Sequence, residues 1–440
     1  MLSKIRILNY KSLNDIYFDP THVNLFLGEN GAGKSNILEA LAMYSAAKSN
    51  MLSNEFLISR GIRPIDPLTT LSQFPLVEKD KSDNEERSKN FAIFTQDNLL
   101  PIGVAICHDE EDPYRGLKAK IFTARFNEND DGDGDGEKSY LIDENIEESH
   151  SKVMNDLFKS FSEINKLFPQ VEDINEIYKE KFIKELKKKD KNKISKLLEI
   201  QNKMHYLSEN LKLIDGFRSK KSSKDNFVIF NPEINTLMGE NTQSQIQPLG
   251  IHGEGLFTLL KVMAKKEPEN FKDVIDTASI FNWLEKIELV EDLNEQKIVL
   301  KDRFMDGYIS PKSANEGFLF SLFYACLFCS KQTPSVFAIE SIDKSLNPRL
   351  CQVLVKKLVE KAKKYNKQVF LTSHNAAVLD GMDLLDKDQS IFIIERATSG
   401  ETKIRKLTEE HLPKPKRNGE KLNLSEAFLR GMLGGLPSNF

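Results

Sequence analysis

The sequence predicts an α/β fold with a mixed central sheet, an antiparallel sheet beside it and an inserted helical arm. Three observations carry that prediction. The apolar run "HVNLFLG" enters a glycine-rich turn and is followed at once by "SNILEALAMYSAA", whose apolar residues recur at helical spacing. From about 311 to 397 helix and strand alternate as "NEGFLFSLFYACLFC", "SVFAIE", "NPRLCQVLVKKLVEKAKKY", "KQVFLTSH" and "QSIFIIERA", as in a parallel or mixed sheet covered on both faces. Between these blocks, residues 151 to 215 are helical in character throughout, so the core is split into a part before about residue 50 and a part after about 311.

Composition sets the frame. The chain of 440 residues can bury a sizeable core, and 40% hydrophobic with 29% charged residues is the balance of a soluble globular protein. A net charge of −4, from 62 basic and 66 acidic side chains, gives no global attraction to nucleic acid and leaves a local basic surface open. The N-terminus lacks the apolar core of a signal peptide, and no run reaches the roughly 18 apolar residues of a membrane span, so the chain reads as cytoplasmic with no membrane partner. Cys326 and Cys329 form a CxxC inside the apolar run "SLFYACLFCS" with no second ligand pair at zinc spacing; they read as buried small hydrophobes.

Taken in order, "SKIRILNY" alternates like an edge strand. "NFAIFTQDNLLPIGVAICHD" and "KAKIFTARF" look like antiparallel strands turning at "TQDN". Residues 127 to 148 become acidic. Asp131, Asp133, Asp135 and Gly136 resemble the start of a calcium loop, but Ile142 stands where a bidentate glutamate is needed, so the segment reads as a solvated turn. The arm holds no long heptad, and its "KELKKKDKNK" run is either a contact for DNA, RNA or a partner, or a solvated helix face. Packed structure resumes at "NFVIFNPEI" and "GLFTLLKVMAKK", with a further helical stretch near 277 to 290.

The glycine-rich turn, Gly28 to Ser35, matches G-x-x-x-x-G-K-[ST] in full, in the strand–loop–helix setting the motif requires. Such glycines let backbone N–H groups cradle phosphates, and the helix start adds its orphan N–H groups and dipole. Candidate nucleotide contacts are Asn30, Gly31, Gly33, Lys34, Ser35 and Asn36; Lys34 should reach the β- and γ-phosphates of ATP, and Ser35 should offer its hydroxyl to Mg2+. The acidic partner for that metal is expected at the end of an apolar strand, which "SVFAIESID" places at Glu340. Ser341, the next residue, cannot serve as a strong base near neutral pH. Asp343 could approach the attacking water, or could face a partner subunit. His374, after "QVFLTS", is the natural sensor of the γ-phosphate, whereas His108 and His252 lack comparable context.

These residues carry a family likeness. "KIRILNYKSLNDIYF" with "VNLFLGENGAGKSNILEAL" resembles the RecF, Rad50 and SMC class of ABC-type ATPases. "AIESIDKSLNPRLCQVLVKKLVEKAKK" with "KQVFLTSHNAAVLDG" is similar to RecF-like ATPases of bacterial antiphage systems, in particular the ATPase subunit of Septu and retron-linked modules. The resemblance implies an ABC-type P-loop NTPase head that forms a homodimer or higher oligomer, two heads sandwiching ATP head to tail. Asn315 and Gly317, in "SANEGF", then fall where a signature loop reaches across to the partner's nucleotide, and "SLNPRL" falls where the D-loop crosses the interface. Of the family's acidic pair only Glu340 matches, and the departure at Ser341 implies slow hydrolysis or ATP used as a clamp.

The chain is accordingly expected to divide into 1–150, the N-terminal part of the head; 151–220, the arm; 221–400, the C-terminal part of the head; and 401–440, a tail and helix for a partner. About 45 residues follow Arg396, too few and too poor in carboxylates for the Toprim nuclease of some relatives, so an effector such as an HNH nuclease is expected in a separate protein. The leading expectation is an ATPase regulating such an effector in antiphage defence. The alternatives are a DNA-repair or recombination clamp of the RecF type and a nucleotide-dependent scaffold without significant hydrolysis. Residues 184 to 193 and "PKPKRNGEK" are the candidate contact surfaces.

Overall fold

Alternating apolar residues at the N-terminus become strand β1 (Leu2–Tyr10), which turns back as β2 (Leu13–Phe18). The next strand, β3 (Val23–Leu27), is buried along its whole length, as a strand covered on both faces must be. It leads through the glycine-rich turn into helix α1 (Lys34–Lys48), then the short α2 (Asn54–Ser59). Strands β4 (Asn90–Asp97) and β5 (Pro101–His108) extend an antiparallel sheet in the order β2-β1-β4-β5. Strand β1 is therefore interior to its sheet. Its alternation reads as an edge, but both its edges are hydrogen-bonded, to β2 from Ile5↔Phe18 and to β4 from Leu2↔Asp97.

The computed structural model describes residues 1–63, 70–72, 90–97, 101–108, 117–123, 140–142, 146–167, 195–204, 208, 227–239, 248–292, 295–412 and 423–435. The acidic segment 127–137, the basic run 184–193 and the tail 413–421 lie outside the described residues. The chain forms two units: Met1–Ala119 with Ala124–Asp130 and Ser223–Phe440, and a smaller one of Lys120–Thr123 with Asp131–Ser222. In the smaller unit the end of β6 (Leu117–Thr123) pairs antiparallel with β7 (Tyr140–Ile142). Helix α3 (Ile146–Leu167) contributes Ile164 to a small apolar cluster with Leu197 and Ile200 of the helical residues 195–204.

The larger unit resumes with β8 (Ile229–Phe230), α4 (Ile234–Leu237), α5 (Leu256–Lys266) and α6 (Pro268–Ala278). A three-stranded antiparallel sheet follows, from β9 (Leu284–Asp292), β10 (Glu295–Asp302) and β11 (Tyr308–Ile309). Here the structure corrects the sequence reading, which takes 277 to 290 as helix. Leu284 and Ile287 are buried at a three-residue spacing that imitates one, but pairing with the β-rich "EQKIVLKD" holds the segment extended, with Leu289 opposite Ile298.

Helix α7 (Glu316–Cys329) is buried from Gly317 to Cys329, apolar on every side as a helix enclosed in a core must be. Burial pushes its Cys329 thiol up to about 12 and that of Cys326 well above its ordinary value, so both are inert packing residues. Then come β12 (Val336–Ile339), α8 (Pro348–Lys364), β13 (Gln368–Ser373), β14 (Gln389–Arg396), β15 (Thr402–Lys406) and α9 (Leu424–Leu429). The central sheet runs β15-β14-β3-β13-β12-β8, parallel throughout except for β14 against β15. Because β3 lies between β14 and β13, residues separated by more than 300 positions share one sheet. Phe26 on β3 stacks with Phe370 at 6.2 Å and meets Phe18 edge-on at 5.6 Å, tying β2 to the central sheet.

Candidate functional site

At the end of β3 the chain passes so close to β14 that a Cβ on Gly28 would lie 2.1 Å from the Ile394 carbonyl oxygen. The loop then turns through Gly31 at φ +81° and Gly33 at φ +110°, conformations that glycine adopts without strain. Helix α1 starts directly behind, with Gly33 as its N-cap and no side-chain cap. Its first N–H groups and positive dipole end are thus offered to an anion.

A cleft of about 300 Å³ opens over this loop. It gathers Asn30, Gly31, Gly33, Lys34, Ser35, Asn36, Glu340 and His374 from among the sequence-predicted residues, and adds Arg63, Ser341 and Thr372. Asp343, Asn315 and Gly317 do not line it. Lys34 Nζ donates to the Gly28 and Glu29 carbonyls at 2.7 Å each and lies 3.3 Å from His374 Nδ1. Burial pushes the Lys34 ammonium down to about 8, against the pull of Asp343, Glu29 and Glu340. Burial first, and then the Lys34 charge, also lower His374, which is neutral at pH 7. A hydrogen bond to the Gly28 backbone and the charges of Asp343 and Glu340 work the other way.

Ser35 Oγ donates to Glu340 Oε1. Arg63 places Nη2 3.5 Å from that same oxygen and Nε 3.4 Å from Oε1 of Glu39, a buried carboxylate on α1 that is also paired with Lys11. A hydroxyl beside a carboxylate is a hard-oxygen pair suited to a hard divalent cation. Among the described residues no group of three His, Cys, Asp or Glu side chains could hold a metal, so such a cation would complete its shell with water and phosphate oxygens.

Ser341 sits at φ +58°, its N–H bonded to Thr372 Oγ1 at 3.0 Å. The Asp343 carboxylate accepts from Ser373 Oγ at 2.8 Å. Asn315 caps α7, accepting from the Phe318 N–H at 2.9 Å, while Glu316 accepts from Ser345 Oγ at 2.9 Å. Gly317 is pressed against the same segment, where a Cβ would lie 2.8 Å from the Ser345 carbonyl oxygen. The signature-like residues and the segment following β12 thus hold one another.

Sequence reasoning missed Arg63 and Thr372. Thr372 carried a signal, a polar residue ending the apolar run "VFLTS"; Arg63, in "GIRP", carried none.

Fold and cleft together define a P-loop ATPase head. A family model described as AAA ATPase domain matches residues 1–379, and the chain belongs to that family. Over 47 residues, 11% of this chain and 12% of the relative, it is 49% identical to the DNA replication and repair protein RecF of Listeria monocytogenes serotype 4b (strain F2365). Over 56 residues, 12% and 14% of the two chains, it is 41% identical to RecF of Lactobacillus delbrueckii subsp. bulgaricus (strain ATCC BAA-365 / Lb-18). The chain thus spans about one eighth of the length of these curated relatives. Among solved structures, the Smc head domain bound to the C-terminal domain of ScpA, derived from Pyrococcus furiosus, is 11% identical with a TM-score of 0.46, covering 93% of this chain and 96% of that one. The SMC head domain from Thermotoga maritima is 10% identical with a TM-score of 0.41, covering 92% and 98%.

Proposed function

We propose that the chain is a RecF-type clamp head that binds ATP with Mg2+ in this cleft, hydrolyses it slowly and closes with a second copy around it. The observation that carries this reading is the convergence of Lys34, Ser35, Glu340 and His374 on the uncapped N-terminus of α1. Lys34 leaves its two loop carbonyls for the β- and γ-phosphates, Asn30, Gly31, Gly33 and Asn36 border the phosphates, and His374 offers a ring N–H to the γ-phosphate. Ser35 and Glu340 hold the metal, whose charge would offset that developing on the phosphate oxygens.

Slow hydrolysis follows from what stands beside Glu340. The adjacent position is a serine, and the Asp343 carboxylate is engaged by Ser373 and does not line the cleft. His374, committed to Lys34 and to the γ-phosphate, supplies no base for the attacking water. Asn315 and Gly317, lying away from their own chain's cleft, would serve the partner's nucleotide.

The RecF likeness across the phosphate loop favours nucleic-acid clamping in repair or recombination. The antiphage role, with a nuclease as effector, is a separate reading that rests on the Septu-like segments around Glu340 and His374. Calorimetric titration with Mg-ATP tests the core of it: micromolar binding by the wild type that Lys34→Ala abolishes is expected. Equal heats for the two proteins would sink it.

A further inference from the structure

Against the phosphate loop, four polar groups form one hydrogen-bonded chain whose two central members, Ser12 and Thr402, do not line the cleft. Asn36 Nδ2 donates to Ser12 Oγ at 2.7 Å, Ser12 Oγ lies 2.7 Å from Thr402 Oγ1, and Thr402 Oγ1 donates to the Ala32 carbonyl oxygen at 2.8 Å. Ser12 and Thr402 are 5% and 1% exposed, so water does not compete. The backbones are joined as well, the Thr402 N–H donating to the Ser12 carbonyl at 2.8 Å. The proton direction is fixed by the ends of the chain: an amide NH2 can only donate and a carbonyl can only accept. Ser12 must therefore give its proton to Thr402, and Thr402 must give its own to Ala32.

The C=O of Ala32 and the N–H of Gly33 belong to one planar trans peptide and point in opposite directions. Holding the carbonyl back against Thr402 turns the Gly33 N–H the other way, toward the cleft that Gly33 lines. The brace also accounts for the glycine itself, since a Cβ at position 33 would lie 2.1 Å from Thr402 Oγ1 and 2.9 Å from Ser12 Oγ.

We infer that Thr402 and Ser12 are positioning residues for phosphate binding: they fix the Ala32–Gly33 peptide so that the Gly33 N–H is aimed at the nucleotide before it arrives. This rests on reading the cleft as a nucleotide site. A donor oriented in advance spares the complex the cost of ordering it. Asn36, at the head of the chain and at the border of the cleft, also acts through Ser12.

Mg-ATP titrations of the wild type, Thr402→Val, Thr402→Ser, Ser12→Ala and Lys34→Ala, each with an apo melting curve, test this. Thr402→Val, close in shape but without the hydroxyl, should weaken ATP about tenfold. Thr402→Ser should restore most of that affinity, and Ser12→Ala, one link removed, should cost about threefold. In the wild type the Gly33 amide proton should shift downfield on adding Mg-ATP, a response that Thr402→Val blunts and that a purely packing role would leave alone. The inference is overturned if Thr402→Val binds within twofold of wild type, or if Thr402→Ser is as weak as Thr402→Val. Should Thr402→Val not fold, the Ser12→Ala affinity and its Gly33 shift decide. Wild type binding no better than Lys34→Ala would instead bring down the nucleotide reading, and the inference with it.

Discussion

Ser341 and Lys34 set two residue-level behaviours. Replacing Ser341 by glutamate puts a carboxylate on the strand end beside Glu340, and turnover should rise at least about tenfold, since a positioned base is worth roughly a hundredfold or more. Phosphate release under saturating ATP measures it; an unchanged rate would mean that base strength is not limiting. Asp343→Asn, with Ser373 still beside it, should leave the rate within a few fold, because that carboxylate is already engaged. Lys34 makes binding depend on pH. Burial holds its free-protein ammonium near 8, and phosphates would raise it, so affinity should be full below pH 8 and fall up to about tenfold per unit above it. Titrations at pH 7 to 9.5 follow this, and Lys34→Arg should be flat across the range. Stability runs the other way. The folded value lies below the ordinary 10.5, so the unfolded chain holds more protons between about 8 and 10.5, and the cost of burying this charge fades as pH rises through that window.

Between elements, α6 and α8 are joined by a charged network. Asp273 on α6 accepts from Lys361 at 3.0 Å and from Lys364 and Tyr365, while Asp276 takes Lys357 at 2.9 Å and Lys361 at 3.1 Å. Burial works to raise the Asp273 carboxyl, but these hydrogen bonds bring it down to about 2. The stability it contributes is present above the ordinary carboxylate value of 3.8 and lost as pH falls from there toward 2. Asp273→Asn should therefore cost about 2 kcal/mol at pH 7 and progressively less on acidification, as thermal melts from pH 7 to 3 would show; a constant difference would refute the assignment. The same scale shows what the residues disclosed in advance. The helices α1, α7 and α8 and the buried β3 and β13 were legible from long periodic or wholly apolar runs. Strand β9 was not, because Leu284 and Ile287 have helical spacing and only the facing β10 decides its conformation. Nor was the interior place of β1, since alternation reports one buried face and says nothing of which edges are paired.

Across the whole molecule, the site was legible where chemistry is local and hidden where it depends on closure of the fold. Lys34 and Ser35 came from a contiguous motif, and Glu340 and His374 from polar residues at the ends of apolar strands. Arg63 and the Ser12–Thr402 brace had no such marker. Positions 12, 33 and 402 meet only because β3 is inserted between β14 and β13, bringing the β14–β15 hairpin against the phosphate loop. The same insertion makes the first and last parts of the head interdependent, so a nucleotide held as proposed by Lys34 and His374 would tie β3 to β13 and to α1 at once. Closure of two such heads on ATP is the central claim, and sedimentation velocity of wild type and Lys34→Ala, with and without Mg-ATP, tests it most directly. The account predicts that Mg-ATP doubles the mass of the wild type and leaves Lys34→Ala unchanged; a wild-type mass that is the same in both conditions would contradict it.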